Sequence, residues 1–394
     1  MRILFLNPIG EIGGAERVLL TAIAGVRREI PDAVVRLIAL TDGPLLVEAE
    51  KLGAEVAVVP MATGLGQLGD SQVRGRGVKG KLGLILRAAP TAFGAARLLF
   101  RLRSAIARFA PDLVHSNGIK THLLSRIAVK RAVPVVWHIH DFIGLRPAAG
   151  GMLQRASGRV RAAVAISEAV AKDCATVLPN VPVTTVLNAV DLARFAPGPG
   201  IELDAAPTGM LRVGLVATYA KWKGHLTLLD AAATLRDLPI RWYLVGGAIY
   251  RTAAQFTEAE LQSEIAQRGL EDRVAILGFT ADTAEVYRSL DVVVHASTLP
   301  EPFGLTIAEA MACGRAVVVS AAGGAVELFT DGHDALGFPP GDAGKLAATI
   351  RRLAEDPPLR ARLGENARRT AQARFDPVRF GRELSAVYER VLSV

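Results

Sequence analysis

Short apolar segments alternate with amphipathic stretches along the whole chain, and this alternation limits most strongly what the chain can fold into. In the first half, the apolar segments predict strands at 2–6, 34–39, 112–115, 133–137, 160–166 and 183–187. Helices are predicted between them at 15–27 and 168–174. Strands that alternate with helices indicate βαβ units, which build a parallel sheet. The first half therefore predicts a doubly wound α/β domain.

The same pattern restarts after an interruption. The run Pro197-Gly198-Pro199-Gly200 breaks regular structure and is typical of a linker. Beyond it, strands are predicted at 211–216, 241–245, 273–277, 292–295 and 315–319. A length of 394 residues also favours two domains over one. We predict domains at 1–198 and 207–375, followed by a C-terminal helix at 376–394.

The cysteine count and the length of the apolar runs indicate the cellular compartment. There are two cysteines, Cys174 and Cys313, so a disulfide framework is not implied and a zinc site is not expected. The apolar runs are too short for a transmembrane helix. We therefore expect a cytoplasmic protein.

One motif in the second half combines two carboxylates with a helix start. Glu301-Pro302-Phe303-Gly304-Leu305-Thr306 is followed by Glu309, and an apolar strand and Gly323-Gly324 come next. A helix that begins near Gly304 offers free N–H groups and a positive dipole end, which suit a phosphate. The two carboxylates, eight positions apart, can accept hydrogen bonds from sugar and ribose hydroxyls.

The first predicted turn is rich in glycine. It reads Gly10-Glu11-Ile12-Gly13-Gly14-Ala15-Glu16. Glycines let the backbone approach a phosphate closely at a helix start. A tight turn without a ligand explains the loop equally well. Its spacing does not match the dinucleotide fingerprint G-x-G-x-x-G.

Other polar residues follow predicted strands, where sites form in doubly wound sheets. Lys221 and Lys223-Gly224 come after the strand at 211–216, and a lysine there can neutralise a diphosphate. His140-Asp141 come after the strand at 133–137, and His115, Asn117 and Lys120 end the strand before it. The chain has no D-x-D pair that would hold a diphosphate through a metal ion.

Together, the Glu301 to Glu309 segment and the Gly13-Gly14-Ala15-Glu16 loop resemble the family 4 glycosyltransferases, retaining enzymes with an E-x7-E motif. The resemblance implies the GT-B fold: two doubly wound Rossmann-like domains facing a cleft, with the C-terminal helix crossing back to the first domain. It covers almost the full length of the chain. It implies that domain 207–375 binds the nucleotide sugar and domain 1–198 the acceptor.

The resemblance also assigns roles to residues. It implies that the catalytic residues are His140, Glu301 and Lys223. The implied donor-binding residues are Gly13, Gly14, Lys223, Glu301, Phe303, Gly304, Leu305, Thr306 and Glu309. The implied acceptor-binding residues are His115, Asn117, Lys120 and Asp141. In the family an Arg precedes the lysine by five residues, and this chain has Thr218 there.

The chemistry implied is transfer of a hexose from a UDP- or GDP-sugar to a glycan or lipid-linked acceptor, with retention and without a metal or other cofactor. Two alternatives stay open. One is a related nucleotide-sugar epimerase or sugar phosphorylase, which shares the fold. The other is a non-catalytic module that binds nucleotide sugar or membrane.

Positive charge is concentrated in one segment. Between residues 71 and 110 there are nine basic residues and no acidic ones, against a net charge of +8 for the whole chain. Leu98, Leu102, Ile106 and Phe109 recur there at near-helical spacing. A basic amphipathic helix predicts contact with an anionic membrane surface, here its inner face. The alternative is a core-facing helix with a solvated basic side. The segment lacks a nucleic-acid-binding motif.

Overall fold

A computed structural model describes residues 1–61, 81–204, 209–248, 253–280 and 282–393. For helix residues 81–93 only the backbone is described. Residues 71–80 of the basic segment, with Arg74, Arg76 and Lys79, therefore lie outside the described residues, as do the side chains of Lys81 and Arg87. The chain divides into two compact units, residues 1–187 with 378–394, and residues 188–377.

The first unit is built on a parallel sheet of seven strands. They are β1 (Arg2–Asn7), β2 (Val34–Ala39), β3 (Glu55–Val58), β4 (Leu113–Ser116), β5 (Val135–Ile139), β6 (Val160–Ala165) and β7 (Val183–Thr185). Their order across the sheet is β3-β2-β1-β4-β5-β6-β7. The helices are α1 (Gly14–Glu29), α2 (Pro44–Lys51), α3 (Lys81–Phe109), α4 (Ile119–Ala128), α5 (Pro147–Ala156) and α6 (Glu168–Val177).

The second unit holds a parallel sheet of six strands. They are β8 (Leu211–Val216), β9 (Ile240–Val245), β10 (Val274–Leu277), β11 (Val292–His295), β12 (Ala316–Ser320) and β13 (Leu336–Phe338), in the order β10-β9-β8-β11-β12-β13. Its helices are α7 (His225–Thr234), α8 (Glu258–Gln267), α9 (Thr283–Ser289), α10 (Leu305–Ala312), α11 (Ala343–Glu355) and α12 (Pro357–Arg374). Short 3-10 helices cover Lys221–Lys223 and Gly324–Glu327.

The last helix, α13 (Pro377–Leu392), returns to the first unit, as predicted. It crosses α1 where two glycines meet: a Cβ added to Gly25 would lie 2.7 Å from the Cα of Gly381. Phe380 is fully buried and stacks on His138, with ring centroids 6.4 Å apart. These close contacts explain why glycines occupy the crossing point.

The predicted strands are confirmed, with small shifts at their ends, because buried parallel strands are almost continuously apolar. Two further strands, β3 and β13, were not predicted. Both lie at an edge of their sheet and are short, with four and three residues. A short edge strand gives a weak sequence signal because few of its side chains enter the core.

The apolar residues of the basic segment serve the core. Leu98, Leu102, Ile106 and Phe109 are at most 5% exposed, although Phe100 is 73% exposed. Among the described residues, no helix is both long enough and apolar enough to cross a membrane.

Both sheets have the same kind of switch point. In the first sheet, β2 and β3 follow on one side of β1, and β4 then lies on the other side of β1. In the second sheet, β9 and β10 lie on one side of β8, and β11 lies on the other. Loops that leave the carboxyl ends of β1 and β4, or of β8 and β11, therefore diverge to opposite faces and leave a crevice between them. These two crevices are where ligands are expected.

Candidate functional site

In the second unit, the loops after β8 and β11 touch at the switch point. The backbone N–H of Thr298 donates to the carbonyl of Trp222 at 2.7 Å. Gly224 has a φ of +80°, and a Cβ on it would lie 1.8 Å from the carbonyl oxygen of Ala296. Only glycine fits this approach, so Gly224 fixes the end of the Lys221–Lys223 turn beside the β11 loop.

This approach brings Lys223 and Glu301 together. The Lys223 Nζ donates to Glu301 Oε2 at 2.8 Å, and neither side chain is more than 19% exposed. Ser297 Oγ donates to the same oxygen at 2.8 Å, and His295 Nε2 lies 3.1 Å from it. No donor among the described residues reaches Glu301 Oε1. One oxygen of the carboxylate is thus saturated by protein, and the other can accept from a ligand.

Glu301 is ionised despite its burial. Burial alone would raise its pKa, but the charge of Lys223 and the hydrogen bond from His295 outweigh this effect. The pKa of Glu301 therefore lies well below its ordinary value. An ionised carboxylate is a strong acceptor for hydroxyl groups.

Helix α10 begins as predicted. Gly304, at a φ of +103°, is its N-cap. The carbonyl of Glu301, one turn before Leu305, accepts instead from Gly324 N at 2.7 Å. The N–H groups of Leu305 and Thr306 are left without an acceptor among the described residues. Such N–H groups at a helix start suit an anion.

Glu309 lies on α10 with its side chain in the interior of the unit, 9% exposed. The hydroxyl of Tyr287 donates to its Oε2 at 3.0 Å. Phe303 is buried against Phe375, with ring centroids 6.0 Å apart, so its side chain is part of the core. Gly323 must be a glycine, because a Cβ there would lie 2.5 Å from the carbonyl oxygen of Glu301.

The position of the family's arginine is occupied by a half-buried Thr218. Lys221 does not turn towards Glu301. Its Nζ lies 5.4 Å from the centre of the Phe256 ring, whereas the Nζ of Lys223 lies 3.9 Å from the Trp222 ring. Lys223 is thus the lysine of this turn that reaches Glu301.

In the first unit, three polar side chains meet at the switch point between β1 and β4. Asn7 ends β1, Asn117 follows β4, and His140 follows the neighbouring β5. Asn117 Nδ2 donates to Asn7 Oδ1 at 2.8 Å, and His140 Nε2 lies 2.6 Å from Asn117 Oδ1. Partial burial lowers the pKa of His140 to about 3, so its ring is neutral at neutral pH.

The glycine-rich loop joins this cluster through Glu16. Glu16 is 6% exposed and accepts from Asn7 Nδ2 at 3.2 Å and from Gly13 N at 3.1 Å. Burial raises the pKa of Glu16. The Gly13 N–H is therefore engaged by the protein, whereas Gly14, the first residue of α1, is exposed.

Two of the predicted acceptor-binding residues are buried, and the other two are half-buried. His115 is fully buried, with Nδ1 2.7 Å from the hydroxyl of Tyr388, and Asn117 is 2% exposed with both amide atoms bonded. In this structure neither is accessible for the predicted direct contact with an acceptor, because protein groups surround them. Lys120 and Asp141 are half-buried, and Asp141 pairs with Arg146.

Four residues of these clusters were not predicted: Asn7, His295, Ser297 and Tyr287. Asn7, His295 and Ser297 end or follow buried strands, so polar residues at strand ends were a usable signal. Tyr287 lies on α9 and meets Glu309 only through packing of α9 against α10. Nothing in the local sequence marks it.

Comparison with known families matches both units. The model "Glycosyltransferase Family 4" matches residues 12–194, and "Glycosyl transferases group 1" matches residues 205–370. The chain is 33% identical over 217 residues to the lipopolysaccharide core mannosyltransferase LpcC of Rhizobium leguminosarum bv. viciae, covering 54% of this chain and 61% of the relative. It is 34% identical over 179 residues to a Campylobacter jejuni N-acetylgalactosaminyltransferase that acts on diphospho-undecaprenol-linked N,N'-diacetylbacillosamine, covering 45% and 44%. The matches thus span less than two thirds of these relatives.

Solved structures match over the full length. Anabaena Alr3699/HepE in complex with UDP and glucose superposes with a TM-score of 0.80, at 28% identity and 99% coverage of both chains. Sucrose-phosphate synthase of Thermosynechococcus elongatus, at 18% identity and a TM-score of 0.76, shares the fold. From the two family models and this fold, the chain belongs to the family 4 glycosyltransferases of the GT-B fold.

Proposed function

We propose that this chain transfers a hexose from a nucleoside diphosphate sugar to a glycan or lipid-linked acceptor, with retention of configuration and without a metal ion. The observation that carries the proposal is the Glu301 carboxylate. Three protein donors converge on its Oε2, and no described residue donates to Oε1. A buried, ionised carboxylate with one oxygen left over is prepared for hydroxyl groups of a ligand.

The second unit binds the donor in this proposal. Glu301 Oε1 accepts from the sugar hydroxyls, Glu309 accepts from the ribose, and the N–H groups of Leu305 and Thr306 face the diphosphate. The HepE structures in complex with UDP and with UDP-glucose support a UDP-hexose as the first donor to test. A GDP-sugar is the second, and the carboxylates alone do not distinguish them.

The reaction breaks the bond between the sugar C1 and the diphosphate oxygen, and the acceptor oxygen bonds C1 on the same face. The acceptor proton passes to the departing diphosphate. Lys223 and the start of α10 stabilise the negative charge that develops on it, which is an electrostatic contribution to catalysis. Of the three N–H donors of Lys223, one is used by Glu301, so two remain for the phosphates.

In this proposal the first unit holds the acceptor, and His140, Gly14 and Ala15 are among its candidate contacts to substrate. Lys120 and Asp141 are the accessible candidates for acceptor contact. Because His140 is neutral, it offers the sugar a hydrogen bond without a competing positive charge.

Turnover of a donor panel tests the proposal. UDP-glucose, UDP-galactose, UDP-N-acetylglucosamine and GDP-mannose are incubated with the protein in EDTA, and released nucleotide is measured with and without mixed glycan acceptors. We expect release in EDTA, and a product anomer of the same configuration as the donor by ¹H NMR. Glu301→Gln should lower kcat by at least about a hundredfold, since it removes the charge at the reacting sugar.

The outcome separates the alternatives. Epimerised nucleotide sugar without transfer would indicate an epimerase, and a requirement for inorganic phosphate would indicate a phosphorylase. Binding of a donor without any turnover would indicate a non-catalytic module. Loss of activity in EDTA that Mg²⁺ restores would contradict metal independence.

We also propose that the first unit binds an anionic membrane surface through α3, α4 and α5. Phe100, Ile127, Leu145 and Met152 are exposed by 48–73%. Helix α4 packs against both α3 and α5, and Arg103 on α3 donates to the carbonyl of Ile127 at 3.0 Å. Exposed basic residues lie on these helices or in the segments that directly follow them: Arg97, Arg101, Arg108, Lys130, Arg131, Arg155 and Arg159. Basic side chains and apolar anchors together suit anionic lipid.

Sedimentation with vesicles tests this surface. We expect binding to phosphatidylglycerol vesicles that falls with salt, and weak binding to phosphatidylcholine. Phe100→Ser with Arg101→Ser should reduce it severalfold. Phe279→Ser is the matched control, because Phe279 is 70% exposed but lies in the second unit. Equal loss in both variants would contradict the proposed surface.

A further inference from the structure

Two buried amides connect His140 to the first strand and to α1. Asn7 Nδ2 donates to the carbonyl of Ile9 at 2.7 Å and to Glu16 Oε1 at 3.2 Å. Asn7 Oδ1 accepts from Asn117 Nδ2, and Asn117 Oδ1 lies 2.6 Å from His140 Nε2. Both amides are at most 2% exposed, so water does not compete for these bonds.

The direction of every bond in this series is fixed by its first member. A backbone carbonyl can only accept, so Asn7 must turn its NH₂ group to Ile9 and its oxygen to Asn117. Asn117 must then present its NH₂ group to Asn7 and its oxygen to His140. That oxygen can only accept, so His140 must carry its proton on Nε2.

We propose that Asn7 and Asn117 are positioning residues that hold His140 as the tautomer protonated on Nε2, leaving Nδ1 as a hydrogen-bond acceptor for a hydroxyl of a bound sugar. His140 then orients the sugar as an acceptor. It does not deliver a proton to the leaving group. The part that concerns the sugar rests on the proposed function, whereas the tautomer is a property of the protein alone.

The histidines near His140 are uncharged, so they do not alter its tautomer. The ring of His138 lies 4.1 Å away between centroids, and burial keeps the pKa of His138 well below its ordinary value. His115, next to His138, is likewise neutral, with a pKa lowered to about 3 by burial. A neutral His140 ring has one proton, and the amides determine which nitrogen carries it.

Nitrogen-15 NMR of the histidine rings tests the proposal without any substrate. The chain has seven histidines, and the signals of His140 are identified by their loss in His140→Gln. We expect a proton on Nε2 and none on Nδ1 at neutral pH. A proton on Nδ1 in the wild type would overturn the proposal.

Two substitutions at Asn117 sharpen the test. Asn117→Leu removes the acceptor, so we expect both tautomers of His140 and a kcat lowered by about tenfold to a hundredfold with KM little changed. Asn117→Asp keeps an acceptor and adds a negative charge, so Nε2 stays protonated and the pKa of His140 rises. Ser125→Ala is the matched control, because it removes a buried polar group of the same unit without contact to His140. Unchanged His140 signals in Asn117→Leu would contradict the role of the amides.

The tautomer of His140 and its role toward the sugar are tested separately. If the tautomer is as expected but His140→Gln retains full transferase activity, the amides position a histidine that does not serve the sugar. If no donor is turned over by any variant, the proposed function fails and the tautomer result stands.

Discussion

At the scale of single residues, the arrangement around Glu301 explains why a charged group lies in the interior. Taking a carboxylate out of water is unfavourable, and a single buried partner rarely compensates for it. Here Lys223, Ser297 and His295 all point to one oxygen of Glu301. This arrangement stabilises the charge and leaves the second oxygen for a ligand.

The pH dependence of stability should report this charge. The folded pKa of Glu301 lies well below the unfolded value of about 4.5. The unfolded state therefore binds the proton first, and the stability that Glu301 contributes is present above about pH 4.5 and is lost as pH falls towards its folded pKa. In Glu301→Gln this loss should be smaller by about 2 kcal/mol between about pH 5 and pH 3.

Urea unfolding at a series of pH values measures this difference. Glu271→Gln, at an exposed position of the second unit, controls for the general effect of removing a carboxylate. Parallel pH curves for the wild type and Glu301→Gln would contradict the buried charge.

At the scale of elements, the contact between the β8 and β11 loops carries the site of the second unit. Gly224→Ala places a methyl group against the carbonyl of Ala296 and an L-residue at a φ of +80°. We expect this variant to lose more than about 3 kcal/mol of its free energy of unfolding, because the backbone of Ala296 cannot move aside as a flexible side chain can. Gly209→Ala is the matched control. Gly209 has a φ of +89°, and a Cβ added there would have no neighbour within 4 Å. Its free energy of unfolding should therefore fall by only about 1–2 kcal/mol.

Chemical unfolding of both glycine variants gives the comparison. Equal losses would show that backbone strain, and not the loop contact, requires glycine at position 224.

The C-terminal helix should stabilise the first unit specifically. Phe380 of α13 is fully buried against His138, and Tyr388 contacts His115. Phe380→Ala leaves a cavity there and should lower the stability of the first unit by about 3–5 kcal/mol. Hydrogen exchange followed by mass spectrometry should show faster exchange in β4, β5 and α1. Unchanged exchange in those elements would contradict this packing role.

The sequence predicted much of the fold because its elements are locally encoded. Eleven strands followed from apolar runs, and α10 followed from Gly304 and its neighbours. The pairing of Lys223 with Glu301 did not follow, since 78 residues separate them and only the strand order brings β8 beside β11. His115 illustrates the opposite limit. A histidine at a strand end indicates a site, but the sequence does not show that Tyr388, 273 residues later, covers it.

At the scale of the whole molecule, the two units repeat one architecture with different chemistry at the switch point. The first unit has neutral amides and imidazoles around Asn117, and the second has an ion pair around Glu301. In the proposed function the charged site takes the donor, and the amides of the uncharged site hold His140.

Ligand binding should therefore stabilise the protein in a way that depends on the second unit. A ligand present at 100 times its Kd stabilises the folded state by about 2.7 kcal/mol. We expect a nucleotide sugar to raise the Tm of the wild type and of Asn117→Leu, but not that of Glu309→Ala. A thermal-shift comparison of the three proteins checks this. If the Tm shift were lost in Asn117→Leu, the nucleotide would depend on the first unit, contrary to the proposal.

Calorimetric titration of the protein with UDP-glucose, GDP-mannose, UDP and GDP in the presence of EDTA tests most directly whether the second unit binds a nucleotide sugar without a metal. We expect one of the two nucleotides to bind, with its sugar, in the absence of a metal. Glu309→Ala should weaken binding of the free nucleotide as well, whereas Glu301→Gln should weaken binding of only the sugar-bearing form. No heat of binding for any nucleotide at millimolar concentration would contradict a metal-independent nucleotide-sugar site in the second unit, and so would equal affinities for the wild type and both variants.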